Sequence, residues 1–286
     1  MAGYRNLISV EELAARVESP DLRIIDCRSE LGDPHAGRRS YLGGHIPGAV
    51  FADLDEDLAA PVTPDSGRHP LPKPAEFART CEALGISNKT EVVVYDQHNG
   101  SLAARAWWML RWLGHDRVRV LNGGVDRWVA RSLPLVTGRE VVAAGSFQPT
   151  VRSGRVVTTD ELSGDPEWAR SLRLIDARDA ARFRGELEPI DPVAGHIPGS
   201  SSLPFPASLH TDGTWKSTTE LEELWCDLLG EDRDVPWAVM CGSGVTACHL
   251  ALSGVEAGFS EPRLYVGSWS EWIRDPARPI GRGVAG

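Results

Sequence analysis

The 286-residue chain is 42% hydrophobic and 24% charged, with a net charge of −10 and a pI near 5.3. That composition supports one or two real cores, and the length suggests about two domains. The acidic balance argues against a nucleic-acid or anionic-membrane binder. No run of 18 apolar residues exists, so no membrane span is expected, and Met1-Ala2-Gly3-Tyr4-Arg5-Asn6 lacks the apolar core of a signal peptide, which points to the cytoplasm.

In chain order, a short apolar strand at Ile24-Ile25 ends in Asp26. A polar stretch and the turn His45-Ile46-Pro47-Gly48 follow, then a helical stretch from Pro74 to Leu84. The β-branched run Val92–Tyr95 reads as a buried strand, succeeded by a Gly-containing turn, a long helix and a further strand at Arg119-Val120-Leu121. Trp107, Trp108 and Trp112 sit on that helix at spacings suited to a core face or an interdomain contact. After Arg131–Thr159, rich in Gly, Pro and Ser, the same order returns: strand Leu174-Ile175 ending in Asp176, turn His196-Ile197-Pro198-Gly199, and helix Thr218–Leu229. Strand Ala238–Met240, a Gly turn with a long helix, and strand Arg263–Val266 complete it.

The recurrence is visible in the letters. "RIIDCRSE" pairs with "RLIDARDA", "GGHIPGAV" with "AGHIPGSS", "EVVVYDQHNG" with "PWAVMCGSGV", and "VLNGGVDRWV" with "LYVGSWSEWI", at offsets of 150, 151, 145 and 144 residues. Four matches in one order imply two homologous halves. We place one domain at residues 1–140, a linker at 141–154 and a second domain at 155–286. Short strands alternating with helices imply α/β domains, each a mainly parallel sheet flanked by helices, with ligands beyond the carboxyl ends of the strands.

Cys241 stands at such an end, in "WAVMCGSGVTACHLAL", and Asp96 holds the same place in the first half. Gly242 and Gly244 permit a sharp turn and close approach of a ligand. A helix beginning near Val245 would aim its unpaired N–H groups and its positive dipole end at the Cys241 sulfur, favouring a thiolate. A buried strand-end cysteine beside an ordinary glycine turn is the other reading of the same local pattern. Cys in one copy and Asp in the other implies a polar, solvent-facing strand end, with chemistry in only one copy. A phosphatase-type loop needs Arg six residues after its cysteine. That position is Ala247, so attack on sulfur to give a persulfide fits better.

The other cysteines, Cys27, Cys81, Cys226 and Cys248, read as packing residues. Cys248-His249 has no second pair at ligand spacing, so no metal is expected. His45 and His196 occur in both halves, which suggests a structural hydrogen bond in the turn. Trp269 and Trp272 either wall a cleft or pack in the core.

Together, "HIPGAVFADLD", "GRHPLP", "ARFRGELEP", "GHIPGS" and "CGSGVTA" resemble the two-domain rhodanese and 3-mercaptopyruvate sulfurtransferase family over about residues 20–275. The resemblance implies two tandem rhodanese-like domains, the first inactive and the second carrying the nucleophile Cys241. It implies transfer of a sulfane sulfur from a small anionic donor, 3-mercaptopyruvate or thiosulfate, to cyanide or a thiol, a protein thiol included, with no cofactor. Gly242, Gly244, Val245 and Thr246 would form the binding loop with Ser243, whose hydroxyl assists the donor sulfur. Asp55 and His69 would support Ser243, and Arg182 would hold the donor's anionic end. Thiosulfate-preferring members carry basic residues just after the cysteine, so "CGSGVT" looks like the mercaptopyruvate type. That type often has a second arginine nine residues after the first. Here the position is Asp191, expected to repel a carboxylate, with Arg184 as a substitute. This departure keeps open an alternative: a sulfur-relay or protein-binding module with weak turnover of small donors.

Overall fold

The computed structural model describes residues 6–164 and 171–284. Residues 1–5, read above as carrying no leader, lie outside the described residues. The chain divides into two compact units. The first comprises the residues up to Ala60, Leu71–Arg152 and Thr211–Trp215; the second comprises Pro61–Pro70, Ser153–His210 and Lys216 onward. Each unit is thus completed by a short segment whose chain neighbours belong to the other.

The first unit contains β1 (Leu7–Ile8), α1 (Val10–Ala14), β2 (Leu22–Asp26), α2 (Ala36–Gly43) and β3 (Ala49–Phe51). It continues with α3 (Pro74–Ala83), β4 (Glu91–Tyr95), α4 (Ala103–Trp112), β5 (Val118–Leu121) and α5 (Gly124–Ala130). Its strands form one parallel sheet in the order β1-β5-β4-β2-β3. Strand β4 lies between two neighbours with helices over the sheet. Val92, Val93, Val94 and Tyr95 are all buried, which is why the run has no polar alternation. Local signals start the helices: Ser9 and Glu12 form a capping box on α1, and Pro74 opens α3. A core of Ile8, Leu13, Ile24, Val93, Leu121, Val125 and Trp128 packs one sheet face. Residues 141–152 have no regular secondary structure, yet they are tied down. Gly145 N–H donates to Glu82 O at 2.8 Å and Arg152 N–H to Trp112 O at 2.9 Å, and Phe147 is buried.

The second unit contains β6 (Val156–Val157), α6 (Thr159–Gly164), β7 (Arg173–Asp176), α7 (Ala180–Arg184) and β8 (Ser201–Ser202). It continues with α8 (Thr218–Leu229), β9 (Trp237–Met240), α9 (Thr246–Glu256), β10 (Arg263–Tyr265) and α10 (Ser268–Trp272). The sheet order β6-β10-β9-β7-β8 repeats that of the first unit strand for strand. The repetition extends to single hydrogen bonds. Asp26 and Asp176 each pair with the arginine two residues on, at 2.6 and 2.7 Å. His45 Nδ1 donates to Tyr41 O and His196 Nδ1 to Phe183 O, both at 2.8 Å, so the two histidines hold backbone as expected. Trp128 Nε1 donates to Pro134 O and Trp272 Nε1 to Pro279 O, both at 2.9 Å.

Trp269 and Trp272 pack in the second core with Leu174, Ala238, Met240 and Tyr265, so packing accounts for both. Trp107 and Trp108 are likewise buried.

Candidate active site

Strand β9 delivers Cys241 at its carboxyl end, and helix α9 starts five residues later. The turn between them needs glycine. Gly244 has φ +75°, and a Cβ there would meet the Val266 carbonyl. The N-cap of α9, Val245, makes no side-chain hydrogen bond, so the helix start is not closed by a capping side chain. Gly244 N–H instead donates to Cys241 Sγ at 3.1 Å. The loop is fixed from below by α10: Trp269 N–H donates to Cys241 O at 3.0 Å and Ser270 N–H to Gly242 O at 2.9 Å. Cys241 N–H donates to Ser268 Oγ at 3.1 Å.

Cys241 and Asp96 are each 2% exposed, so neither strand end faces solvent as expected. The mix of Cys and Asp at this position reflects polar hydrogen bonding inside the loop, not exposure. Cys248, a turn into α9, donates its thiol to Gly244 O at 3.4 Å and is fully buried, as a packing residue should be.

The segment Pro61–Pro70 brings two further groups to this loop. Ser243 Oγ and His69 Nδ1 are hydrogen-bonded at 2.8 Å. Arg68 N–H donates to Ser270 Oγ at 3.1 Å, which pins the segment to α10. A Cβ on Gly67 would strike the Gly267 carbonyl, so the close approach requires glycine. The structure therefore gathers Cys241, Gly242, Ser243, Gly244, Val245, Thr246, His69 and Arg182 in one unit. Asp55 belongs to the other, in the turn after β3, where its N–H donates to Asp53 Oδ1 at 3.0 Å. Burial, then the carboxylates of Asp53 and Glu56, push the Asp55 carboxyl above its usual range.

Arg182 projects from α7 and is fixed by carboxylates. Its Nε donates to Glu188 at 2.9 and 3.0 Å, and its Nη2 to Asp191 at 3.2 Å. Burial alone would raise the Glu188 carboxyl; Arg182 and the amides of Asp191 and Ile190 outweigh it and hold it low. Asp191 also accepts from Arg68 Nη1. The expectation that Asp191 simply repels a substrate carboxylate is corrected by these pairings: its charge is engaged by two arginines. The Arg184 guanidinium is paired with Glu186 at 2.7 Å and makes no hydrogen bond to Asp191 among the described residues. Nor are the surroundings of the loop uncharged, as "CGSGVT" alone suggests. Neither residue type nor spacing marks Arg68 or Glu188 in the sequence, and Asp191 stands out there only as an opponent of a carboxylate. Arg68 stands beside His69 in "GRHPLP", but its partner lies 123 residues away.

The rhodanese-like domain model matches residues 9–131 and 158–275. A Pseudomonas aeruginosa relative that carries the name probable 3-mercaptopyruvate sulfurtransferase is 46% identical over 282 residues, covering 97% of this chain and 98% of that one. SseB of Mycobacterium tuberculosis, 39% identical with 98% of both chains covered, carries a thiosulfate sulfurtransferase name. The crystal structure of SseA from Escherichia coli, titled among 3-mercaptopyruvate sulfotransferases, aligns with TM-score 0.80 at 34% identity, covering 94% of this chain and all of that one.

Proposed function

Since the chain belongs to the rhodanese-like family and is a sulfurtransferase, we propose that Cys241 is its nucleophile and 3-mercaptopyruvate its donor. One observation carries the reading: the Cys241 sulfur accepts an amide N–H at a strand-to-helix turn, next to a serine hydrogen-bonded to a histidine. The Cys241 thiolate attacks the donor sulfur. The carbon–sulfur bond breaks, its electron pair stays with the keto acid as an enolate, and that carbon takes a proton to give pyruvate. The sulfur remains as a Cys241 persulfide. An acceptor thiolate or cyanide then attacks the outer sulfur, forming a new persulfide or thiocyanate and releasing the Cys241 thiolate.

In this reading Ser243, coupled to His69, moves the proton between the donor thiol and the enolate carbon. Asp55 joins that relay by its motif position. Gly242, Gly244, Val245 and Thr246 supply the loop backbone, and Arg182 holds the donor's anionic end. The departure at Asp191 that favoured a relay module is met by its pairing with arginines, so the small-donor enzyme is the better reading. The five cysteines are free thiols, which supports a reducing compartment such as the cytoplasm. No helix among the described residues is long and apolar enough to cross a membrane.

Intact-protein mass spectrometry after incubation with mercaptopyruvate tests the assignment. The parent should gain one sulfur and Cys241→Ser none, with turnover reduced by about 10³-fold or more. Retention of the sulfur by the serine variant would reject it.

A further inference from the structure

Arg68 reaches the Cys241 loop alongside Arg182. The point where a Cβ on Gly242 would sit is 2.8 Å from Arg68 Nη2, and 3.6 and 3.9 Å from Arg182 Nη2 and Nη1. Two guanidinium groups therefore converge on the residue that follows the nucleophile. Their mutual repulsion is relieved by one buried carboxylate, Asp191, which accepts from Arg68 Nη1 and Arg182 Nη2. Among the described residues, Arg68 Nη2 and Arg182 Nη1 have no hydrogen-bond acceptor. Arg68 Nε is buried with none, an arrangement that folding alone disfavours.

We infer that Arg68 is a second anion-holding residue of this site, forming with Arg182 a two-guanidinium clamp for the carboxylate of a 2-keto acid donor. The inference rests on the reading of Cys241 as nucleophile. Guanidinium donors match the two oxygens of a carboxylate, which a point charge does not. Asp191 and Glu188 balance the two arginines in charge, so the clamp offers directed donors with little net positive potential. That favours a monoanionic carboxylate over a dianion such as thiosulfate. Guanidinium donors thus reach the loop from residue 68, and a side chain at Gly242 would have to displace the Arg68 guanidinium.

Paired alkylating agents test this without turnover, because iodoacetate carries a carboxylate and iodoacetamide does not. The ratio of their rates at Cys241 should fall about 10-fold in Arg68→Met, with the iodoacetamide rate unchanged within about twofold. The KM for mercaptopyruvate should rise about 10- to 100-fold while kcat moves little. Arg68→Lys, which keeps the charge but loses the fork, should give an intermediate ratio and covers the case in which the methionine variant fails to fold. Equal ratios in parent, methionine and lysine variants would overturn the role of Arg68 while leaving Cys241 as the nucleophile. Absence of iodoacetamide label on Cys241 in the folded parent would instead overturn the underlying reading, and the clamp with it.

Discussion

The two strand-to-helix loops, at Asp96 and at Cys241, begin from the same sheet position and reach opposite ends. In the first unit the Asp96 carboxylate turns into its own loop and accepts four backbone N–H groups: from His98 at 3.2 Å, Gly100 at 2.9 Å, Leu102 at 2.8 Å and Ala103 at 3.1 Å. A fixed internal anion satisfies the amides at the start of α4. In the second unit the matching atom is a thiol sulfur that accepts Gly244 N–H. Both loops turn backbone N–H groups toward the side chain at the strand end. In the function proposed above, what separates structural from chemical use is whether the group held is an inert carboxylate or a sulfur that can form and break a bond.

Removing the internal anion breaks the comparison most severely. Asp96→Ala should strand four backbone amides, those of Gly100 and Ala103 buried, and cost about 3–5 kcal/mol of stability, read as a lowered urea midpoint. Asp96→Asn keeps an acceptor oxygen and should cost less. If the first loop performs no chemistry, as proposed, donor turnover by the folded fraction should remain close to that of the parent. A next smaller effect belongs to the second loop. His69→Ala should lower kcat about 10²-fold, and Ser243→Ala should add little on top of it, because the two act as one relay. Additive losses in the double variant would mean that the hydrogen bond between them serves only positioning.

The smallest effect contrasts the cradled sulfur with a thiol in hydrocarbon. Burial pushes the Cys81 thiol up from an ordinary 9.0 to about 12. Between those values the unfolded chain has lost the proton and the folded chain keeps it. The contribution is complete below pH 9 and is lost as pH rises toward 12. Cys81→Ala should therefore lose about 1–2 kcal/mol less than the parent when urea midpoints at about pH 9 and 10.5 are compared. Cys27, raised by burial and then by Asp26, Asp96 and Asp57, adds a limb of the same sign.

Much of this was legible in one dimension. Val92–Tyr95 and Trp237–Met240 are central parallel strands, buried on both faces, so they spell continuous apolar runs. The Cys241 loop was readable because strand, cysteine, glycines and helix are contiguous. The two-residue strands β1, β6 and β8 left no trace, since two residues have no period to detect. The roles of Arg68 and Asp191 were hidden for a different reason. A carboxylate nine residues after an arginine reads as an opponent of substrate until the cation from residue 68 is placed against it. That relation belongs to tertiary structure, and neither residue type nor spacing announces it.

The crossing-over of Pro61–Pro70 carries a consequence for how such a molecule changes over time. A fragment opening at Ser153 would possess the thiol yet lack the histidine and arginine contributed from upstream. Each unit thus depends on a short segment carried by the chain of its sibling. Deleting the first half would therefore also remove Arg68 and His69 from the unit that holds Cys241.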